Sequence, residues 1–383
     1  MQKYKMKGNV KLKREIPIAK PVLGKEEEEA VKKVLQSGIL TQGKKVKSFE
    51  ETFANYIGVE HAVAVTNGTS ALDIALKTLR IGLGDEVIVP AFSFIASSNC
   101  VLFQGAKPVF ADIDQRSFNI DPSDVNEKIT AKTKAIITVH LFGQPAQMEE
   151  LKEIAQDHGI LLIEDAAQAH GAEYKGKKVG GLSNISCFSF YATKNMTTGE
   201  GGMITTNNGE LAKTAYLLRD HGQTEKYHHT ILGYNYRMTE LSAAVGLVQL
   251  KKLDKLNKKR RKNAGMLTNG IEKIPGLTPP YVEEYAKHVF YQYVVKVEED
   301  YPLERNELAD HLEKMGIGVA IHYPTPIYRQ PLYHKLGYDK MICPMAEESC
   351  KRVLSLPVHP SVNEEDIQYI LDVLKKNELG QSE

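Results

Sequence analysis

Three short apolar runs in the chain each end on residues that could do chemistry. In ISCFSFYATKNMTTGEGG, Lys194 follows an aromatic-rich run and precedes a glycine-rich turn. Most lysines are solvated surface groups, but an apolar approach and a tight turn can present a partly desolvated amine, the nucleophile of Schiff-base chemistry. In GILLIEDAAQAHGA, the run delivers Glu164 and Asp165 to its end. A carboxylate there either caps the next helix or stands beside a pyridine nitrogen and keeps it protonated. A protonated ring is the electron sink that pyridoxal phosphate (PLP) needs. In HAVAVTNGTSALDIAL, the run breaks at Asn67 and Gly68, and a helix begins at Thr69 or Ser70. Its N–H groups and dipole suit a phosphate, although Asn, Thr and Ser also serve as plain caps. Phe92 and Phe94 follow DEVIVP; one can stack on a cofactor ring while the other packs in the core.

Such residues need a scaffold that brings the ends of the runs together. Strands are expected at 61–66, 85–90, 107–113, 134–141, 159–165, 185–191 and 201–206, and helices at 25–38, 46–57, 70–79, 95–104, 147–158 and 210–220. Strands apolar on both faces that alternate with helices imply a largely parallel sheet covered on both sides. In such sheets ligands gather beyond the carboxyl ends of the strands, where Asp165 and Lys194 are expected. From about residue 238 the pattern changes to a long helical stretch and a Pro-rich break at 275–280. A strand HVFYQYVVKV, a helix ERNELADHLEKMG, a strand VAIHY and helices at 345–353 and 364–376 follow. The expected organisation is a flexible basic arm (1–14), a large α/β domain (15–250) and a smaller α+β C-terminal domain (251–383).

Composition removes several function classes. The 49 Lys and Arg balance 48 Asp and Glu, and a net charge of +1 gives no whole-molecule field for nucleic acid or anionic membranes. The basic run KKLDKLNKKRRKN (251–263) reads as the solvated face of the connecting helix. The four cysteines lie far apart without a C-x-x-C pair, and His228 and His229 adjoin without metal-ligand spacing. Neither a disulfide framework nor a metal site is expected. The basic N-terminus has no apolar segment after it, and no run is long enough to span a bilayer. A cytoplasmic location is the expectation.

The motifs TNGTSAL, VIVPAFSFIASSN, VHLFGQPAQM, IEDAAQAHGA, SFYATKNMTTGEGG and GYNYRMTEL, in this order, resemble the DegT/StrS-type nucleotide-sugar aminotransferases. The resemblance runs from about 15 to 375 and implies a PLP enzyme of fold type I. By that resemblance Lys194 is the cofactor lysine, Asp165 the partner of the pyridine nitrogen, and Gln168 the contact to the phenolic oxygen. Gly68, Thr69 and Ser189 match positions around the phosphate, and Phe94 matches the stacking aromatic, which leaves Phe92 to the core. Asn235 matches a residue that reaches the phosphate from a second subunit, which implies a homodimer with shared sites. The implied reaction moves an amino group from L-glutamate to a keto group of a nucleotide-diphosphate hexose, in amino-sugar and surface polysaccharide biosynthesis. The core motifs favour carbon 4, whereas IHYPTPIYRQPLY (321–333) looks more like relatives acting at carbon 3. Relatives with histidine in place of the lysine are sugar dehydratases, and Lys194 speaks against that activity. Amination of a keto-inositol and a non-enzymatic PLP-binding regulator using the 251–263 run on DNA are the alternatives.

Overall fold

A computed structural model describes residues 14–378. The flexible arm expected over 1–14 therefore falls almost wholly outside the described residues. Seven strands form the main sheet: β1 (His61–Val65), β2 (Glu86–Pro90), β3 (Lys107–Ala111), β4 (Thr133–Val139), β5 (Leu161–Asp165), β6 (Ile185–Ser189) and β7 (Gly202–Thr206). Their order is β1-β7-β6-β5-β4-β2-β3. Pairings among β3, β2, β4, β5 and β6 are parallel, and β7 runs antiparallel to both its neighbours. The mostly parallel sheet expected from the apolar runs is what forms.

Both faces of the sheet are buried, and the side-chain period of two assigns each residue to a face. Val87 and Val89 join one cluster with Ile137, Ile74 and Leu76, while Ile88 and Ile136 face Phe49, Phe53 and Leu151. The helices supplying these partners include α2 (Lys44–Ile57) and α3 (Gly68–Thr78), while α1 (Lys25–Ser37) packs on the long helix Glu240–Ile271. Gly38 and Gly58 close α1 and α2 in the left-handed conformation, with φ of 70° and 89°, which glycine adopts without a Cβ penalty.

The chain leaves this layer through one long helix, α4 (Glu240–Ile271). Its first half packs on α1 and α2 and its end on the helix Glu364–Glu378. A third cluster, including Leu267, Ile271, Tyr293, Leu308, Leu356 and Ile370, forms the core of the C-terminal lobe around a three-stranded sheet. That sheet uses Leu277–Thr278, Tyr293–Val297 and Val353–Leu356.

Two strands expected there differ from what forms. In HVFYQYVVKV only Tyr293–Val297 is strand. Phe290 takes φ of 46°, and the preceding backbone bonds sideways, with the Val289 N–H donating to the Gly143 carbonyl at 3.0 Å. VAIHY pairs only through an isolated bridge between Ala320 and Ser355. No helix among the described residues is long and apolar enough to cross a membrane.

Candidate active site

β5 carries two adjacent carboxylates, and pleating turns them to opposite faces. Glu164 is fully buried and accepts from His140 Nε2 at 2.9 Å, from the N–H groups of Gly180 and Leu182 at 2.8 Å, and from Ser186 Oγ at 2.8 Å. His140 Nδ1 accepts from the Ala146 N–H at 3.1 Å, so its Nε2 carries the proton that Glu164 receives. Burial pushes the Glu164 carboxyl up, but these donors outweigh it and hold it below the usual range. Glu164 is thus a satisfied structural carboxylate.

Asp165 is also buried, but among the described residues its side chain is bonded only by Ser97 Oγ at 2.8 Å and the Ala167 N–H at 3.1 Å. No ion pair reaches it among the described residues. Burial raises its carboxyl above the usual range, against the pull of Ser97, the Ala167 N–H and the Lys194 charge. A buried carboxylate bonded by neutral donors, with no ion pair among the described residues, is short of one directly bonded positive partner. A pyridinium N–H supplies both charge and donor.

Lys194 lies in the loop after β6, partly buried, with Nζ 4.1 Å from the centre of the Tyr291 ring. Two imidazoles near it stay neutral at pH 7. Burial, then the Lys194 charge, takes His170 down to about 3 and His322 to about 4.

Gln168 is buried, and the Phe142 N–H donates to its Oε1 at 2.8 Å, which fixes the amide so that Nε2 points to the Tyr323 hydroxyl at 3.2 Å. Phe92 is buried in the core, while Phe94 is 57% exposed, its ring centre 6.5 Å from that of Tyr323. A large exposed aromatic beside a half-buried tyrosine is a platform for a planar ring.

Beyond β1, Asn67 caps α3 by accepting from the Ser70 N–H at 2.8 Å. The first N–H groups of the helix, at Gly68 and Thr69, have no partner inside it and face anions favourably. Ser189 closes on this turn: a Cβ on Gly68 would lie 2.6 Å from the Ser189 Cβ. Gly68→Ala is therefore expected to cost about 1–3 kcal/mol by overpacking. Thermal melting of the cofactor-free protein measures that loss, and an unchanged midpoint would contradict it.

The structure brings Lys194, Asp165, Gln168 and Phe94 to the carboxyl end of the sheet, with Gly68, Thr69 and Ser189 at its neighbouring strand ends. Asn235 stands apart, exposed, on a bridge to Asp220. Its segment borders the α3 turn, where the Thr66 N–H donates to the Tyr236 carbonyl at 2.9 Å. Sequence reasoning missed Ser97, Tyr291 and Tyr323. The last two come from the C-terminal lobe, where no strand-end motif marks them.

An open carboxylate, a nearby amine, an exposed aromatic and a helix start held against a serine together fit PLP. The sequence pattern of the DegT/DnrJ/EryC1/StrS aminotransferases matches residues 21–375. A "Pleiotropic regulatory protein" of Geobacillus stearothermophilus is 43% identical over 343 residues, covering 88% of this chain and 91% of that one. GDP-perosamine synthase of Caulobacter vibrioides is 40% identical over 363 residues, covering 94% and 97%. The crystal structure of S. venezuelae DesV with a ketimine intermediate superposes with a TM-score of 0.89 at 37% identity, covering 94% of this chain and 95% of that one.

Proposed function

The chain belongs to the DegT/DnrJ/EryC1/StrS aminotransferase family, and from that premise we propose that this PLP-dependent enzyme aminates a keto group on a nucleotide-diphosphate hexose, with L-glutamate as donor and carbon 4 as the position. The observation that carries the reading is Asp165, a buried carboxylate at a strand end that has no ion pair among the described residues and feels the charge of Lys194.

When bound, the cofactor supplies an aldehyde that takes up an amino group and a ring that accepts electrons. Asp165 Oδ2, held by Ser97, keeps a proton on the ring nitrogen. Gln168 Nε2, its amide fixed by Phe142, donates to the phenolic oxygen. Gly68, Thr69 and Ser189 hold the phosphate, and Phe94 stacks on the ring. Lys194 anchors the cofactor and, once released, its Nζ carries a proton between the donor's α-carbon and the cofactor. Phe92 and Glu164 shape the site from the core.

The nucleotide-sugar substrate class is supported by a relative named GDP-perosamine synthase. The motifs SFYATKNMTTGEGG and GYNYRMTEL favour carbon 4, and the segment 321–333 favours carbon 3. Tyr323 of that segment bonds Gln168 and neighbours Phe94, so the segment borders the place where a sugar would lie. Incubation with 3-keto and 4-keto nucleotide sugars plus glutamate, read by mass spectrometry and NMR, decides the position. Turnover of neither would sink the assignment.

A homodimer completes the site in this reading. Asn235 follows in sequence a stretch that exposes large apolar side chains, Tyr227 at 81% and Leu232 at 80%, which suits a partner subunit. Mixing Asn235→Ala with Lys194→Ala subunits tests the sharing. If the sites are shared, hybrid dimers hold one site bearing neither substitution, and activity rises above that of either parent. No recovery in verified hybrids would exclude shared sites.

A further inference from the structure

The Lys194 ammonium has no carboxylate partner among the described ion pairs; what lies beneath it is an aromatic face. Its Nζ sits 4.1 Å from the centre of the Tyr291 ring, inside the range of a cation–π contact. The Tyr291 hydroxyl is 3.0 Å from Thr193 Oγ1, which ties the ring to the residue preceding the lysine.

The backbone that carries this ring is pinned from three directions. Asn195 Nδ2, one residue beyond the lysine, donates to the Val289 carbonyl at 3.0 Å. Arg260 of α4 donates to the carbonyls of Phe290 and Tyr291 at 3.2 and 3.4 Å. Gln292 N–H donates to the Phe142 carbonyl at 3.3 Å, and a Cβ on Gly143 would lie 3.0 Å from the Tyr291 nitrogen. The backbone that carries the ring is therefore fixed independently of the lysine side chain.

We propose that Tyr291 is a positioning residue whose ring holds the Lys194 amine whenever it is not bonded to the cofactor. A freed lysine has four rotatable side-chain bonds and would otherwise sample solvent. Resting on the ring keeps it within reach of the carbon whose proton it moves. No covalent step is added, since Tyr291 neither gains nor loses a bond.

This inference rests on Lys194 being the cofactor lysine, which borohydride reduction followed by peptide mapping establishes separately. The test of Tyr291 uses the cofactor-free protein. Modification of Lys194 by an amine-reactive reagent at fixed pH is followed by mass spectrometry in the wild type, Tyr291→Phe and Tyr291→Leu. Loss of the ring is expected to speed modification by about 3- to 30-fold, the span of a cation–π contact. Tyr291→Phe, which keeps the ring but loses the hydroxyl that also bonds Lys194, should retain an intermediate protection. With cofactor loaded, the single-turnover half-reaction with glutamate should slow in the same order. Should Tyr291→Leu fail to fold, Tyr291→Phe carrying increasing numbers of ring fluorines weakens the aromatic face at nearly constant shape. Protection that falls step by step with fluorination supports the proposal; protection that ignores fluorination, or wild-type labelling in a folded Tyr291→Leu, overturns it.

Discussion

Replacing Lys194 with alanine is expected to reduce amino transfer by at least about 10²–10⁴-fold, the contribution of one positioned acid–base group. Loss of the covalent anchor adds to that figure. The loop around Lys194 is held by other residues: Thr197 Oγ1 donates to the Phe190 carbonyl at 3.0 Å, and Asn195 Nδ2 donates to Asn257 Oδ1 at 2.8 Å. The variant should therefore fold and still take up PLP through the phosphate turn. Borohydride should leave it unlabelled. Rates from single-turnover reactions with glutamate, together with labelling, check both halves. A Lys194→Ala protein that transaminates at wild-type rate would remove Lys194 from the mechanism.

The second large effect concerns Asp165, and its sign differs between activity and stability. Asp165→Asn removes the charge that, in the proposed reading, keeps the ring nitrogen protonated. An opposite charge at this range moves a pKa by about 1–3 units, so amino transfer should fall by about ten- to a thousandfold. Stability of the cofactor-free protein should move the other way. A carboxyl whose folded pKa lies above its unfolded value stabilises below the unfolded pKa, and that contribution is lost as pH rises through the folded pKa. At neutral pH, above the unfolded carboxyl's range, Asp165 is therefore a cost, which asparagine avoids. The cofactor-free variant should melt higher than wild type at pH 7, by about 1–3 °C for a chain of this size, and the gap should close as pH falls into the carboxylate range. With PLP bound the order should reverse, because the cation then present compensates the wild-type charge. Melting curves with and without PLP across pH 4–8 test this, and a variant less stable than wild type without cofactor at pH 7 would contradict it.

The large layer was legible because its strands are buried on both faces and bounded by helices with regular apolar spacing. Each of the seven runs became a strand within a few residues of its expected limits. The apolar run by itself does not separate Glu164 from Asp165, since both end it, and Asp165 is singled out only by the family resemblance. Only the donors from His140, Gly180, Leu182 and Ser186 show which carboxylate is spent on structure. The C-terminal lobe was harder to read. His288–Gln292 carries strand-like residues, yet the positive φ of Phe290 turns them toward the lysine loop. Tyr291 was lost inside that misread strand, and Tyr323 inside another that forms only one bridge. Both are placed by contacts across the lobes, which leave no periodic trace.

α4 belongs to both lobes without a break: 32 residues, roughly 48 Å at 1.5 Å per residue. Opening the lobes like a clam would require breaking that rod in its middle, where Leu253 and Asn257 are buried and Asn257 donates to the His170 carbonyl at 2.8 Å. A whole-lobe rotation during turnover would have to bend this helix. Accommodation of differently shaped sugars must fall to loops such as 321–333, so acceptor preference can diverge by loop exchange while the amino-transfer machinery keeps its alignment.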